Sequence, residues 1–443
     1  MTPTDPALEA LNRTLLLSRS LFAPTTPDDS VIARHLMKLR ACIVADHANI
    51  RTRAAQAMVS ALVGMLAGYG CSLRFVLPEV PLAGPQPPLT GEEFRSALLA
   101  YAQDCSPAIT ASVASVASEG DFIFVIGDTH WSGPRGETWR LSAEDWSGRL
   151  DAVETHVARA DCVVPFGSLA SACLAAVEPF KAAMRGIASE LGGATDIDFV
   201  RRVQTAKFSW SIAPTLPGMI QLGNVDLISA GAIGQAFVHA LARVPGVSAS
   251  IRVFDDQTLE VSNLNRYALA RLSQVGEFKV DVIASAATDS LRVIPIRERL
   301  STANFENYLP LAPNVVVGVD DVPSRWDIQR QSPLWLGVGS SAGFLTVTSD
   351  HWRGVACAGC AHPFDDGVRL PIPTASFVSY WPGLLLAARA VQRAVGSEPP
   401  LREQQVNLTA LLLDSPTAVW MHEVMARSDC PVGCEASRAM RSN

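Results

Sequence analysis

Short apolar runs rich in β-branched residues alternate with longer helical patterns along the chain, and this alternation occurs twice. It is typical of parallel βαβ units, in which each helix returns the chain to the same edge of a sheet. The predicted elements are strands 41–45, 72–77 and 122–126 with helix 51–68 in the first half, and strands 225–229, 250–254 and 315–317 with helix 233–244 in the second. We therefore expect an α/β protein with two doubly wound, Rossmann-like domains in tandem.

A break between the two halves is predicted within 192–223, where proline and glycine interrupt the regular patterns. We place the domain boundary there, with a first domain at 1–205 and a second at 206–443. Each half also carries a late helical pattern rich in alanine, beginning near Ser168 and near Leu384. This order of features indicates a weak internal repeat, although any two α/β domains share part of it.

The composition excludes several classes of protein. Of the 443 residues, 48% are hydrophobic and 18% are charged, so the chain can bury a large core and is not disordered. A net charge of −7 gives no basic footprint for nucleic acid or an anionic membrane. The sequence contains no apolar run of the ~20 residues that cross a bilayer, and its start does not resemble a signal peptide. Nine dispersed cysteines do not form a disulfide framework, so we expect a cytoplasmic protein that binds neither nucleic acid nor membranes.

A phosphate-binding loop is predicted where the first strand of the second half ends. Gly231 and Gly234 lie in a tight turn that opens a helix, and Asp255 follows at the end of the next strand, where a carboxylate can bind ribose hydroxyls. Ser229 occupies the position of the first glycine of the G-x-G-x-x-G pattern. The equivalent segment of the first half, 46–51, contains no glycine, so we expect no phosphate site there. The alternatives are an unliganded turn and a nicotinamide dehydrogenase.

The residues after this loop suit a nucleoside triphosphate better than a nicotinamide. Asn263, Arg266 and Lys279 follow Asp255 in one loop–helix passage, and Asp320 ends a later strand. An aspartate can hold Mg²⁺ while two cations offset the charge that develops on a leaving pyrophosphate. Taken singly, an exposed cation is usually solvated, and the aspartate after Asp320 could cap a helix.

The ordered set of motifs GAIG, FDDQTLEVSNLNR, GEFK, VDDVPSR, CAGC and CPVGC resembles the ThiF/MoeB/HesA superfamily, which includes the ubiquitin-activating enzymes. The resemblance covers about half of the chain, 224–434. It implies an ATP site whose members are Gly231, Ala232 and Gly234 along the nucleotide, Asp255 on the ribose, Arg266 and Lys279 on the phosphates, Asp320 on Mg²⁺, and Asn263 and Arg325 as supporting residues. Arg266, Lys279 and Asp320 are the catalytic candidates.

The same resemblance implies a reaction. In such enzymes the C-terminal carboxylate of a ubiquitin-like or sulfur-carrier protein attacks the α-phosphate of ATP, which gives an acyl-adenylate and pyrophosphate. A conjugating-enzyme-like protein or another acceptor then takes the acyl group. Similar tandem activators occur in bacterial conjugation-like operons, some of them linked to antiviral defence.

Ubiquitin-activating enzymes similarly pair an inactive adenylation domain with an active one, and relatives often take one arginine from the partner half. The candidates considered for that arginine are Arg34, Arg40, Arg51 and Arg53. A homodimer is a further assembly that the sequence leaves open.

Four cysteines form two close pairs, Cys357 with Cys360 and Cys430 with Cys434. Two such turns can present four thiolates to one tetrahedral ion, which predicts a structural Zn²⁺ site. The alternatives are four buried or reactive thiols, or a site in which His362 replaces one cysteine. Many relatives carry a nucleophilic cysteine in the crossover segment, here 361–383, and this segment contains none. The remaining candidates, each of which also reads as a small buried side chain, are Cys42, Cys71, Cys105, Cys162 and Cys173.

Three other functions remain open from the residues alone. The first is an adenylating enzyme for a peptide or small-molecule carboxylate, which would use the same residues. The second is a nicotinamide-dependent oxidoreductase. The third is a non-catalytic docking protein with a degenerate nucleotide site.

Overall fold

The computed structural model describes residues 5–22, 26–159, 161–192, 197–365, 367 and 371–442. Its first half begins with two helices that precede the first strand of a sheet. The elements of this half are α1 (Pro6–Arg19), α2 (Asp29–Met37), β1 (Arg40–Val44), α3 (His47–Ile50), α4 (Arg53–Gly68), β2 (Ser72–Val76), α5 (Phe94–Gln103), β3 (Ala111–Val113), β4 (Phe122–Ile126), β5 (Thr138–Glu144), β6 (Ser147–Ala152), α6 (Phe166–Glu190), α7 (Ile197–Val200) and β7 (Ala206–Ser209).

The second half repeats the order of strands and adds one strand at its end, whereas its helices differ in part. Its elements are β8 (Ile220–Ile228), α8 (Ala232–Leu241), β9 (Val247–Phe254), α9 (Lys279–Ala284), β10 (Leu291–Ile296), β11 (Asn314–Val317), α10 (Val322–Arg330), β12 (Trp335–Ala342), β13 (Leu345–Trp352), α11 (Ala358–Ala361), α12 (Ser376–Ala394), β14 (Gln405–Thr409), β15 (Val419–His422) and α13 (Glu435–Ser442).

The two sheets have the same topology. The strand order is β3-β2-β1-β4-β5-β6-β7 in the first sheet and β10-β9-β8-β11-β12-β13-β14-β15 in the second. In each sheet five neighbouring strands are parallel, and the strands beyond β5 or β12 pair in antiparallel fashion. The predicted fold class, two doubly wound α/β units, is therefore confirmed, and the internal repeat is visible strand by strand.

The chain passes from one sheet to the other between Ser209 and Ile220. The strand Ala206–Ser209 pairs with β6 of the first sheet, although the expected boundary after residue 205 assigned it to the second domain. The strand predicted at 225–229 begins earlier, at Ile220. Its pairing with β9 is irregular at Gly223, and this irregularity breaks the alternation of side chains that would have marked the earlier residues as strand in the sequence.

Helix α12 begins at Ser376, eight residues before the alanine-rich pattern that predicted it near Leu384. Pro382 lies inside this helix and removes the hydrogen bond to the carbonyl four residues earlier, that of Val378. The Thr346 hydroxyl donates to the Val378 carbonyl at 2.9 Å and replaces the missing donor. This side chain of β13 explains how the helix continues through a proline that the sequence alone presents as a stop.

The two halves share one continuous hydrophobic core. Arg243, fully buried at the end of α8, donates to the hydroxyl of Ser60 on α4 at 3.0 Å, and the Ser376 hydroxyl of α12 donates to the carbonyl of Met65 at 2.6 Å. Helix α12 also packs against α6 and α8. Hydrogen bonds and apolar contacts therefore fix the first half against the helices that surround the second sheet.

Among the residues that the structure describes, there is no helix with the length and apolar character needed to span a membrane.

Candidate functional site

A cleft of about 930 Å³ lies at the carboxyl ends of β8, β9 and β11. The strand order reverses between β8 and β11 at this place, and open α/β sheets bind ligands in the crevice that such a reversal creates. The volume is that of a typical small-molecule site. Seven of the predicted site residues line it, namely Gly231, Ala232, Asp255, Asn263, Arg266, Lys279 and Asp320.

The turn between β8 and α8 forms one wall of the cleft. Ser229, directly after the strand, has a φ of +91°, in the left-handed region that favours glycine. Gly231 is the N-cap of α8, so the free N–H groups of the first helical turn point into the cleft. These groups and the positive end of the helix dipole suit an anion.

Gly234 lies one turn into α8 and does not line the cleft. A Cβ on this residue would lie 2.5 Å from the carbonyl oxygen of Ser229, which no side chain tolerates. Gly234 therefore allows the close approach of helix and loop, which differs from the direct nucleotide contact that the sequence predicted for it.

Asp255 follows β9 and connects two loops of the site. One of its carboxylate oxygens accepts the N–H of Ala230 at 2.9 Å, and the other accepts the N–H of Gln257 at 3.0 Å. Each oxygen keeps a further lone pair for a hydroxyl donor. The side chain is therefore held rigidly at a place where it could accept the two ribose hydroxyls.

Two cations enter the cleft from the segment after β9. Lys279 is 6% exposed and its Nζ donates to the Gln257 side-chain oxygen at 2.7 Å. The Arg266 guanidinium donates to the carbonyl of Ser262 at 2.9 Å. Both charges lie over the Tyr267 ring, at 5.7 Å for Lys279 and 5.2 Å for Arg266. Among the residues that the structure describes, neither cation forms an ion pair with a carboxylate, so both can meet an anionic ligand.

Asn263 has a structural contact as well as a place in the cleft wall. Its side-chain oxygen accepts the N–H of Glu260 at 3.1 Å, and the Glu260 carboxylate accepts the backbone N–H of Asn263. This reciprocal capping fixes the loop that presents Arg266.

The carboxylates after β11 have different environments. Asp320 is exposed in the cleft, whereas Asp321 is the N-cap of α10 and accepts the N–H of Ser324 at 2.8 Å. Arg325 is 4% exposed and lies behind the cleft, where it donates twice to the carbonyl of Val319. Burial lowers the pKa of Arg325, against the opposing effect of the two nearby aspartates. Arg325 thus holds the loop of Asp320 and does not itself line the cleft.

Arg13 of α1 also lines the cleft, and sequence reasoning missed it. Its Nη1 is buried without a hydrogen-bond partner among the described residues. Burial and the charge of Arg266 lower the pKa of Arg13, whereas the charge of Asp320 raises it. The side chain comes from the first half of the chain, and no local motif marks it.

The four arginines considered for this position lie elsewhere. Arg34 pairs with Glu190 at 2.6 Å, Arg40 with Asp121 at 3.2 Å, and Arg53 donates to the carbonyl of Ala242 at 3.3 Å. Arg51 is exposed, and none of the four lines the cleft.

The equivalent turn of the first half has become a short helix. Asp46 caps α3, and its carboxylate accepts the N–H of Asn49 at 2.8 Å. The Asn49 amide also donates to Asp128 at 2.7 Å, so side chains occupy the strand end where a phosphate loop would lie. The sequence predicted no phosphate loop here, and it did not predict the short helix.

The sulfur atoms of Cys357, Cys360, Cys430 and Cys434 all lie within 4.8 Å of one another. The Sγ atoms of Cys357 and Cys430 are 3.4 Å apart, and those of Cys360 and Cys434 are 3.8 Å apart. Four thiolates around one Zn²⁺ at ~2.3 Å are separated by roughly 3.8 Å, so this donor set fits a tetrahedral zinc ion. His362 is not part of this group, and its backbone carbonyl accepts the indole N–H of Trp326.

Of the remaining five cysteines, Cys42, Cys71, Cys105 and Cys173 are buried, and Cys162 is partly buried. Burial raises the pKa of Cys42 to about 12, of Cys105 to about 12 and of Cys162 to about 11. It also raises the pKa of Cys71 and Cys173. A thiol with a raised pKa is a poor nucleophile, because the thiolate is the reactive form.

The model of the ThiF family matches residues 220–430. This C-terminal region is similar to the ThiF family. All of the cleft residues except Arg13 lie within the matched region, which contains the phosphate-loop turn, and so do Cys357, Cys360 and Cys430.

Individual proteins similar to this chain share less than a third of its residues over the matched parts. An uncharacterized protein of Sinorhizobium fredii, y4jF, is 27% identical over 242 residues, which is 53% of this chain and 43% of that protein. The match thus spans less than half of that relative's length. Among solved structures, E. coli MccB with ATP is 19% identical over 48% of this chain and 66% of its own, with a TM-score of 0.40. PaaA is 18% identical over 46% of this chain and 73% of its own, with a TM-score of 0.37.

Proposed function

We propose that this protein is an adenylating enzyme that uses ATP and Mg²⁺ to activate the C-terminal carboxylate of a ubiquitin-like or sulfur-carrier protein. The catalytic residues in this proposal are Arg266, Lys279 and Asp320, with Arg13 as an additional ATP ligand. The first half acts as a pseudo-adenylation domain and the second as the active one, with the boundary at 210–219 instead of after residue 205.

One observation carries the proposal: cations and carboxylates together line a single cleft at the N-terminus of α8. The cations are Arg13, Arg266, Lys279 and Arg299, and the carboxylates are Asp255, Asp256, Glu260, Asp320 and Asp321. The cations can bind phosphate oxygens while a carboxylate holds a divalent ion, a combination that a dinucleotide pyrophosphate does not require. A triphosphate with an approaching carboxylate brings about four to five negative charges together, and this repulsion must be screened. The cleft thus supports triphosphate chemistry better than hydride transfer.

In the proposed step, a carboxylate oxygen of the carrier protein attacks the α-phosphorus of ATP. The new bond joins that oxygen to phosphorus, and the bond from the α-phosphorus to the oxygen bridging to the β-phosphorus breaks. Pyrophosphate leaves with the electron pair, and the acyl group remains as a mixed anhydride with AMP. No proton moves at the reacting centre, so the residues must align two anions and screen their charge.

The donor set at the mouth of the cleft fits Mg²⁺, which prefers carboxylate and phosphate oxygens. Asp320 is exposed there, with Asp256 and Glu260 also in the wall. When bound, Mg²⁺ would neutralise charge on the triphosphate. Asp320 would hold it, while Arg266 and Lys279 bind the phosphate oxygens that it leaves free.

The cysteine cluster supports a second metal, a structural Zn²⁺ held by Cys357, Cys360, Cys430 and Cys434. A closed site with four thiolates has no open position for substrate. In our proposal it fixes the C-terminal segment against the loop before α11, and it takes no part in catalysis.

The fate of the acyl-adenylate follows from the cysteines. The crossover segment contains no cysteine, and the five cysteines outside the cluster have raised pKa values. We therefore propose that the acyl group passes directly to a conjugating-enzyme-like protein or to a sulfur donor. A cytoplasmic location, a homodimer and a conjugation operon with an antiviral role remain predictions that fractionation, the mass in solution and the neighbouring genes would test.

A peptide or small-molecule carboxylate remains the alternative substrate, because the same residues would activate it. The test is ATP–pyrophosphate exchange, which requires adenylation to be reversible. We expect exchange only when a small carrier protein ending in glycine is present, and its loss when the last carboxylate is amidated. Exchange with short peptides alone would support the alternative, and binding of NAD with hydride transfer would overturn the proposal. An ATP-binding protein without exchange would be a docking protein.

A further inference from the structure

Ser229 is held in a backbone conformation that a residue with a side chain rarely adopts. Its φ is +91°, and among the described residues other than glycine only Ser332, at +54°, shares a positive φ. A side chain costs free energy in this region of φ, so such positions persist where the surroundings impose them and are enriched at ligand sites. In a glycine-rich loop the natural residue for this position would be glycine.

The side chain of Ser229 points back into the loop. Its Oγ accepts the N–H of Gly231 at 3.1 Å. The backbone N–H groups of Ser229 and Ala230 also have acceptors. Ser229 donates to the carbonyl of Phe254 at 3.0 Å, and Ala230 donates to the Asp255 carboxylate at 2.9 Å. The oxygen of the Ser229 hydroxyl thus accepts one hydrogen bond, and its hydrogen remains available to a ligand. Ser229 also lines the cleft.

We propose that the Ser229 hydroxyl donates a hydrogen bond to a phosphate oxygen of the bound adenine nucleotide. With glycine at this position, the N–H of Gly231 would face the anion directly. Here the hydroxyl lies between them: the Gly231 N–H polarises Oγ, which makes the hydroxyl a stronger donor to a charged acceptor. This assignment rests on the proposed function, since it requires a nucleotide phosphate in the cleft.

The test measures MgATP and adenosine binding by calorimetry, together with the melting temperature of the ligand-free protein. Ser229→Gly removes both the hydroxyl and the strain, and Ser229→Ala removes the hydroxyl but keeps the strain. We expect Ser229→Ala to bind MgATP about 10- to 100-fold more weakly, the range for a lost hydrogen bond to a charged group, with adenosine binding unchanged. Ser229→Gly should lose less affinity, because the Gly231 N–H can then face the phosphate. Only Ser229→Gly should raise the melting temperature.

Ser332→Gly is the matched control. Ser332 has the same type of backbone conformation but is exposed at the end of α10, outside the cleft. This variant should raise the melting temperature and leave MgATP affinity unchanged. If Ser229→Ala binds MgATP as tightly as the wild type, the assignment of Ser229 is overturned while the proposed function stands. A wild-type protein that binds no MgATP overturns both.

Discussion

Single side chains carry the charge of the cleft, and each has a distinct anchor. Lys279 is fixed through Gln257, Arg266 through a backbone carbonyl, and Asp320 through the loop that Arg325 supports. Arg13 differs, because its Nη1 has no partner among the described residues although it is buried. A buried guanidinium nitrogen without an acceptor is costly, and a bound anion would supply the acceptor.

Replacing Arg13 should therefore reduce activity without loss of the fold. We expect Arg13→Ala to lower kcat/KM for pyrophosphate exchange about 10- to 100-fold, which corresponds to about 1.5–3 kcal/mol for a hydrogen bond to a charged group. The control is Arg19→Ala on the same helix, which removes a partly exposed ion pair with Asp29 outside the cleft. Equal exchange rates for wild type and Arg13→Ala would remove Arg13 from the site.

The two adjacent aspartates should respond in different ways. Asp320→Asn should abolish exchange while the melting temperature stays within a degree of wild type, because this carboxylate is exposed and caps no helix. Asp321→Ala should lower the free energy of unfolding by ~1 kcal/mol through loss of the N-cap of α10. Steady-state kinetics and urea unfolding of both variants measure the contrast. Undiminished exchange in Asp320→Asn would reject the proposed metal ligand.

At the level of elements, the loops that hold the four cysteines join distant parts of the chain. Cys357 is the N-cap of α11 and Cys360 lies within this helix. A Cβ on Gly359 between them would lie 2.7 Å from the Val432 side chain. The glycine therefore permits the segment of Cys430 and Cys434 to pack directly on the first pair. The packing brings the sulfurs together across more than 70 positions of sequence.

Loss of one cysteine of the cluster should release the metal. We expect the wild type to contain about one zinc per chain by mass spectrometry, and Cys357→Ser less than about a fifth of that, with unfolding destabilised by several kcal/mol. Cys105→Ser is the control, because Cys105 is buried but lies outside the cluster. Equal zinc content in Cys357→Ser and wild type would contradict the site.

The sequence predicted those parts of the site that are local in the chain. The sequence pattern around a strand end or a helix start marks Gly231, Asp255 and Lys279. The spacing of the cysteine pairs is also a local signal. Arg13 could not be predicted, because its approach depends on how α1 docks on the other half. The start of α12 was missed for a similar reason: the hydroxyl that permits Pro382 comes from a distant strand.

For the molecule as a whole, a buried histidine lies beside the contact between the halves, near Ser60 and Gly64 of α4. His239 of α8 forms a hydrogen bond of 2.7 Å with the hydroxyl of Tyr380 on α12, and burial lowers its pKa well below the ordinary value. The folded protein thus keeps this imidazole neutral, while the unfolded chain takes up a proton below a pH of ~6.5. Stability that is present above that pH is therefore lost as the pH falls.

We expect the free energy of unfolding to decrease by up to ~1.4 kcal/mol per pH unit below a pH of ~6.5 because of this one group. His239→Gln should reduce that slope by about one proton in urea titrations between pH 7 and 5. His130→Gln, which replaces an exposed histidine, should leave the slope as it is. A slope that His239→Gln does not alter would show that this imidazole is protonated in the folded state.

The short helix that replaces the glycine turn at 46–51 has a consequence for the number of nucleotides that one chain binds. Two equivalent strand ends exist in each chain, yet only one keeps backbone donors open to an anion. Titration with MgATP should therefore saturate at one nucleotide per chain, with a single class of sites, whatever the number of chains in the assembly. The two copies of the repeat would then have different roles: one binds the nucleotide, and the other contributes an arginine.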